Sequence, residues 1–342
     1  MAPRLKPLSQ QVLVITGASS GIGLATARMA AQRGAAVVLV ARSEASLAEA
    51  VAEIREAGGR AEYRVADVAD REALQGAADL ATEKFGGFDA WVNDAGGSIY
   101  GTQEQTPVED QRRLFETNYW GTVHGSLIAC AHLKPKGGAL VNVGSVLSDR
   151  AMIYQGTYSA TKHAVKAFTD ALRMELEAER APVSVTLIKP ASIETTFQDH
   201  ARILLDTPGV MVPPPTYDPR LVARAILFAC TTPRRDLYVG GGGAAISLFG
   251  NLFPRGTDLV MQAIGRSSQT TRRTGKPERR DNLYQGRPGG AERSSLSGTP
   301  QRTSSLLLEA QMNPVAALAA TAGLAALVAG TLMTGAMLSR RR

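Results

Sequence analysis

Cysteine is almost missing from this chain, which has two, Cys130 and Cys230, in 342 residues. Both sit in apolar, helix-forming stretches and read as small core hydrophobes, which excludes a disulfide framework or a cysteine-based metal centre. Histidine is also scarce: His124, His132, His163 and His200 stand at no ligand spacing from carboxylates or cysteines, so no metal site is expected. Aromatic residues make up 5% of the chain. With no aromatic platform or known module beside the positive charge, nucleic-acid binding is not expected. Met1–Gln10 has no apolar core of the signal-peptide kind. Residues 1–254 are near neutral, with 25 Lys+Arg against 26 Asp+Glu; the 13 against 5 beyond 254 account for the chain's formal +7.

What is present begins with a nucleotide-binding pattern. Residues 11–16, Gln-Val-Leu-Val-Ile-Thr, suit a strand buried on both faces. They run into Gly17-Ala18-Ser19-Ser20-Gly21-Ile22-Gly23 and an Ala-rich helical stretch to Arg33. Glycines let the backbone turn sharply and approach a pyrophosphate, and the helix N-terminus offers it free N–H groups and a partial positive charge. The spacing is Gly-x-x-x-Gly-x-Gly, not the commoner Gly-x-Gly-x-x-Gly. Strand and helix signals then alternate. Strands are expected at 36–41, 61–66, 89–93, 138–144, 183–188 and 236–239. Helices are expected at 44–57, 70–85, 108–133, in a stretch that carries Tyr158 and runs to about 179, and near 219–230. That alternation predicts an α/β fold, a Rossmann-like doubly wound parallel sheet with helices on both faces and ligands beyond the carboxyl ends of its strands. Gly17, Asn93, Ser145 and Pro190 fall at those ends.

Tyr158-Ser159-Ala160-Thr161-Lys162 places a Tyr and a Lys one helical turn apart, with Ser145 upstream. A cation that close is expected to draw the phenol pKa from about 10 toward the working pH, and a hydroxyl so placed can pass a proton to or from a substrate oxygen.

With these motifs in order, residues 9–245 resemble the short-chain dehydrogenase/reductase family. Thr16–Gly23 matches its phosphate loop, Asp67-Val68 its adenine-contacting pair, and Asn93-Asp94-Ala95-Gly96 its Asn-Asn-Ala-Gly. Lys189-Pro190-Ala191-Ser192-Ile193-Glu194-Thr195 resembles the segment that holds the nicotinamide. Asp94 and Ala191 depart from the family's Asn and Gly. The resemblance implies a catalytic tetrad of Asn118, Ser145, Tyr158 and Lys162. Tyr158 would be the general acid/base, with Lys162 lowering its pKa and bonding the nicotinamide ribose. Ser145 would steady the oxygen where negative charge develops, and Asn118 would hold a water in a proton relay. It also implies cofactor contacts from Gly17, Ser19, Ser20, Gly21, Ile22, Gly23, Asp67, Val68, Asn93, Ala95, Gly96, Tyr158, Lys162, Pro190, Ile193 and Thr195. A homo-oligomer, dimer or tetramer, follows from it too.

Cofactor choice is read after the second strand, Val38-Leu39-Val40-Ala41-Arg42-Ser43. A carboxylate there would select NAD; an Arg accommodates a 2′-phosphate. Arg42 and Ser43 therefore predict NADP(H) over NAD(H), an ordinary solvated arginine being the other reading. Residues 191–217 hold Phe197, Ile203, Leu204, Leu205, Val210, Met211 and Val212, either domain core or an apolar lid suited to a hydrophobic carbonyl or alcohol.

Residues 1–254 are thus expected to be the catalytic domain. Residues 255–312 read as a basic, mostly disordered linker with a short docked piece near Asn282-Leu283-Tyr284. Residues 313–342 read as a hydrophobic helix and basic C-terminus. Val315–Leu338 carries no charge for 24 residues, long enough to span a bilayer. A single-pass anchor in membrane lipid, with the catalytic domain facing the cytoplasm, stands beside a helix docked on protein. The function expected is an NADP(H)-dependent oxidoreductase. A membrane-tethered nucleotide-binding scaffold or redox sensor without turnover is the other reading.

Overall fold

The computed structural model of the protein describes residues 3–271, 281–288, 290–294 and 301–319. In chain order the elements are β1 Val12–Thr16, α1 Gly21–Gln32, β2 Ala36–Ala41, α2 Glu44–Glu56, β3 Arg60–Val65, α3 Arg71–Phe85, β4 Ala90–Asn93 and β5 Ile99–Tyr100. There follow α4 Val108–Phe115, α5 Gly121–Leu133, β6 Gly138–Val143, α6 Gly156–Ala178, β7 Val183–Pro190, β8 Arg202–Ile203 and β9 Gly209–Val210. The last are α7 Pro219–Ala229, β10 Asp236–Val239, α8 Gly241–Leu252, α9 Pro254–Gln269, β11 Thr270–Thr271 and α10 Leu306–Met312.

Seven parallel strands form one sheet in the order β10-β7-β6-β4-β1-β2-β3. The β1, β2, β6 and β7 strands are buried along their whole length, as β-branched runs covered on both faces should be. Alternation decides the face. Leu13 and Ile15 of β1 pack with α1, α2 and α7, whereas Val12 and Val14 pack with α3, α5 and α6. This is the expected doubly wound sheet, in three layers. Local chemistry fixes the helix ends: the Asp70 carboxylate caps α3 by accepting from Glu72 and Ala73 N–H at 2.9 and 3.1 Å. Gly86, at φ 77°, closes it.

Two features differ from the expectation. The helix expected over 108–133 is split by a widened turn at Glu116–Trp120. Such an extra residue in a turn shifts the register of the side chains around it and often marks a functional site. Here it holds Asn118, fully buried.

The second difference is the expected linker. Its described parts are ordered on the catalytic domain. The α9 helix leads into β11, which pairs antiparallel with β9, and Leu308 of α10 is fully buried in the core beside α7. The Gln311 side chain accepts from Tyr238 N–H and donates to Tyr238 C=O, each at 2.9 Å, so an amide stands in for the missing neighbour of edge strand β10. Composition hid this because single anchors (Leu283, Glu292, Leu308) sit among polar residues. Most of the expected span, 320–338, lies outside the described residues. Among the described residues no helix is long and apolar enough to cross a membrane.

If α10 is part of the core, Leu308→Ala should lower unfolding free energy by about 2–5 kcal/mol. Denaturant titration checks this; a change within about 0.5 kcal/mol would mark a dispensable tail.

Candidate active site

The carboxyl ends of the central strands converge on one cleft, with about 340 Å³ of interior space. The phosphate loop forms its floor. Gly17 has φ +71°, and a Cβ there would stand 2.8 Å from Ala95 N. A Cβ on Gly23 would stand 2.5 Å from Gly17 C=O. These glycines let the loop lie flat between β1 and α1, with Ser19, Ser20, Gly21 and Ile22 lining the cleft. An arrangement that puts backbone amides and a helix N-terminus against a cavity fits a pyrophosphate. Arg42, Ser43, Asp67, Val68, Ala95 and Gly96 line one end, and Pro190, Ile193 and Thr195 the other.

Two residues expected at the cofactor do not line the cleft. Gly23 serves the packing just described. The Asn93 side chain is buried in a network beneath the strand ends, donating to Asn142 Oδ1 (2.8 Å) and Ser126 Oγ (3.1 Å) while accepting from Trp91 Nε1 (2.8 Å). It braces β4 against β6 and α5. Asp67 lines the cleft, but its carboxylate is held by Arg113 and stands 3.7 Å from Arg42.

The chemistry gathers where α6 faces the end of β6. Tyr158, Lys162 and Ser145 are buried and all line the cleft. Lys162 Nζ donates to Val143 C=O at 2.8 Å and lies 5.8 Å from the Tyr158 ring centroid. Ser145 Oγ caps the next turn by accepting from Leu147 N–H at 3.0 Å. Asn118 lies behind, its amide donating to Gly97 C=O (3.1 Å) and Thr161 Oγ1 (3.0 Å), so it reaches the site through α6 and does not line the cleft.

The titration behaviour differs from expectation. Burial pushes the Tyr158 phenol up to about 12, against a downward pull from its hydrogen bond with Ser145. Lys162 falls to about 8, again chiefly by burial. With the ammonium bonded to Val143 C=O, desolvation outweighs the expected depression of the phenol. Asp94, at the cleft, is lifted to about 7 by desolvation, opposed by Lys162 and by the Gly23 N–H. The two thiols are buried and high, Cys130 at about 11 and Cys230 at about 12, in keeping with inert core residues.

At the substrate end the wall is apolar. Leu147, Met152, Phe197, Val212 and Pro213–Pro215 line it, joined by Ile246 of α8 and Met261 of α9. Phe197 meets the Tyr158 ring edge-on at 5.6 Å. Of the apolar residues expected in a lid, Leu205 and Val210 instead pack with Tyr100 and Ala201 as core, and Ile203 pairs in β8 with β5. Sequence reasoning missed the contributions of α8, α9 and the extension. Asn282, Gly286 and Arg287 also line the cleft, and only the short docked piece around Asn282 carried any signal for them.

A sequence profile of the family described as short chain dehydrogenase matches residues 11–203. The oxidoreductase YxnA of Bacillus subtilis is 44% identical over 325 residues, 94% of this chain and 91% of that one. An alignment that long runs into the C-terminal extension. A 3beta-hydroxysteroid dehydrogenase of Mediterraneibacter gnavus is 33% identical over 199 residues, 56% of this chain and 69% of that one. Among solved structures, an alcohol dehydrogenase from the archaeon Thermococcus sibiricus complexed with 5-hydroxy-NADP superposes with TM-score 0.59 at 27% identity, covering 67% of this chain and 95% of that one. A short chain dehydrogenase/reductase from Burkholderia phymatum in complex with NAD gives TM-score 0.66 at 24% identity, covering 79% and 100%, a likeness of fold.

Asp94 titrates near 7 beside a site for an anionic ligand. Cofactor affinity should therefore fall as pH rises through 7, since the carboxylate that forms repels phosphate. Asp94→Asn should abolish that step and move the Lys162 step below 8, because the Asp94 carboxylate holds the ammonium up. Titrating cofactor fluorescence from pH 6 to 9 checks this; an unchanged profile in Asp94→Asn refutes it.

Proposed function

We propose a specific role from the premise that this chain belongs to the short-chain dehydrogenase family and is an oxidoreductase acting on an alcohol/carbonyl pair with NAD(P): it prefers NADP(H) and takes a hydrophobic carbonyl or alcohol. The observation that carries the reading is the convergence of Tyr158, Lys162 and Ser145 on a cleft whose other end holds Arg42 and whose substrate wall is apolar. When bound, the cofactor supplies or accepts the hydride.

The protein's own residues do the rest. Tyr158 keeps its proton, its pKa near 12, so in the reducing direction it donates from Oη to the carbonyl oxygen. Ser145 donates its hydroxyl hydrogen to the same oxygen as negative charge gathers there. Lys162, titrating near 8, supplies a buried positive charge when protonated, which steadies the phenolate left behind. In the oxidising direction the same phenolate accepts the alcohol proton. Asn118, in the widened turn between α4 and α5, ties the loop after β4 to α6 through Gly97 and Thr161 and so keeps Tyr158 at its place; that role and its proposed water relay are compatible. The pyrrolidine rings of Pro213–Pro215, with Phe197 and Met261, line the same cleft and favour an apolar substrate. An intact tetrad on such a cleft speaks for turnover over a non-catalytic scaffold or redox sensor.

NADP(H) preference is supported by Arg42, with no carboxylate at 41–43. Self-association is part of the reading, supported by exposed Trp120, Leu127 and Met174 about α5 and α6. Membrane anchoring through Val315–Leu338, with the catalytic domain on the cytoplasmic side, is supported by the uncharged length of that stretch.

Tyr158→Phe should lower kcat by at least about 10²–10⁴-fold, the usual worth of a general acid, with NADPH affinity nearly intact; steady-state kinetics on hydrophobic ketones checks it, and a loss of only a few-fold would remove Tyr158 from its role. Arg42→Asp should reverse the preference between NADPH and NADH, measured by fluorescence titration, and retained NADPH preference would contradict the reading of Arg42. Full-length protein should stay with membranes through alkaline and high-salt washes, whereas release by salt alone would leave only an electrostatic attachment.

A further inference from the structure

Residues 281–288 and 290–294 belong to the C-terminal extension, and Asn282, Gly286 and Arg287 among them line the cleft beside Arg42 and the phosphate loop. Two donor groups that the fold presents to a phosphorylated nucleotide are spent on this segment. The Arg42 guanidinium donates to the carbonyl oxygens of Asn282 and Leu283, the latter at 3.5 Å. Gly21 N–H, the first amide of α1, donates to Ala291 C=O at 3.0 Å. The approach is close: a Cβ on Gly286 would stand 2.8 Å from Arg42 Cβ. A neutral carbonyl is a weaker acceptor for both donors than a phosphate oxygen.

The polar latches that hold the segment lie outside the cleft. Glu292 pairs with Arg28 at 2.9 Å and with Arg220 at 3.0 Å, tying it to α1 and α7. Arg293 pairs with Asp218, and the Tyr284 hydroxyl donates to Asp110 Oδ1 at 2.8 Å. Leu283 is buried beside Ile99, Leu114 and Tyr158. A segment pinned at its edges by several exchangeable contacts, with only backbone carbonyls over the donors, is built to be moved.

We propose that residues 281–294 are an autoinhibitory strap, which covers Arg42 and the α1 N-terminus and has to be released when these groups trade its carbonyls for the phosphate oxygens of a dinucleotide. The proposal rests on the reading of Arg42 as the partner of a 2′-phosphate. Binding NADPH requires both contacts to open, at Arg42 and at Gly21, whereas NADH requires only the one at Gly21. The strap therefore weakens NADPH binding more than NADH binding, and it ties the state of the C-terminal extension to cofactor occupancy.

Hydrogen–deuterium exchange on the full-length wild-type chain tests this, with NADPH binding confirmed separately by fluorescence. Exchange over 281–294 should rise several-fold when NADPH is saturating. Glu292→Ala, which loosens the latch next to the Ala291 contact, should tighten NADPH and NADH several-fold alike, whereas Tyr284→Phe, which loosens the end that covers Arg42, should tighten NADPH more than NADH. Unchanged or slowed exchange over 281–294 in a chain with NADPH bound overturns the strap, as does a Glu292→Ala protein that binds both cofactors more weakly. A chain that binds no NADPH fails the reading of Arg42 instead; the exchange experiment is then read with NADH, which still has to open the contact at Gly21. The exchange measurement needs no variant, so a Glu292→Ala protein that does not fold leaves it intact.

Discussion

Parallel pairing of seven strands, the five inner ones buried on both faces, is the constraint on which the rest depends. Parallel strands need a crossover for each pair, the crossovers are right-handed, and so every strand delivers its carboxyl end to the same side of the molecule. Gly17 after β1, Asp94 after β4, Ser145 after β6 and Pro190 at the end of β7 reach one cleft for that reason alone. The helix α6 then has only to present one face. Tyr158 and Lys162, a turn apart, do so.

Burial sets the chemistry that follows. The same apolar packing that secures the fold takes Tyr158 and Lys162 out of water and moves each toward its neutral form, to about 12 and about 8. A phenol that keeps its proton and an amine that titrates near the working pH suit a site that hands a proton to a carbonyl oxygen and recovers it. The Asn93 network performs a different task at the same depth. By satisfying Trp91, Ser126 and Asn142 it allows polar groups beneath the cleft without orphaned donors.

Most of the catalytic domain was legible in the sequence because its signals are local and periodic. Uniformly apolar strands, an Ala-rich α1 and capped helices such as α3 each announce themselves within a short window. The phosphate loop, Ser145, Tyr158 and Lys162 were legible because their spacing is set by single elements. The division of the 108–133 helix was not, since a widened turn leaves no pattern in residue type. The extension was misread for a related reason. Its order comes from contacts across more than two hundred residues of sequence, such as Glu292 with Arg28 and Arg42 with Asn282, while its composition is that of a flexible basic tail. The direction of the Tyr158 shift was misjudged because the Lys162 bond to Val143 and the depth of the phenol are tertiary facts.

The central claim is that Tyr158 protonates a substrate carbonyl as hydride arrives from NADPH. It is tested most directly by turning over hydrophobic ketones with NADPH deuterated at nicotinamide C4 and locating the label by NMR. The account predicts deuterium on the carbinol carbon of the product with the wild-type chain, and transfer slowed to near the detection limit in Tyr158→Phe. Cofactor consumed without label in the alcohol, or equal transfer in the two proteins, would contradict it.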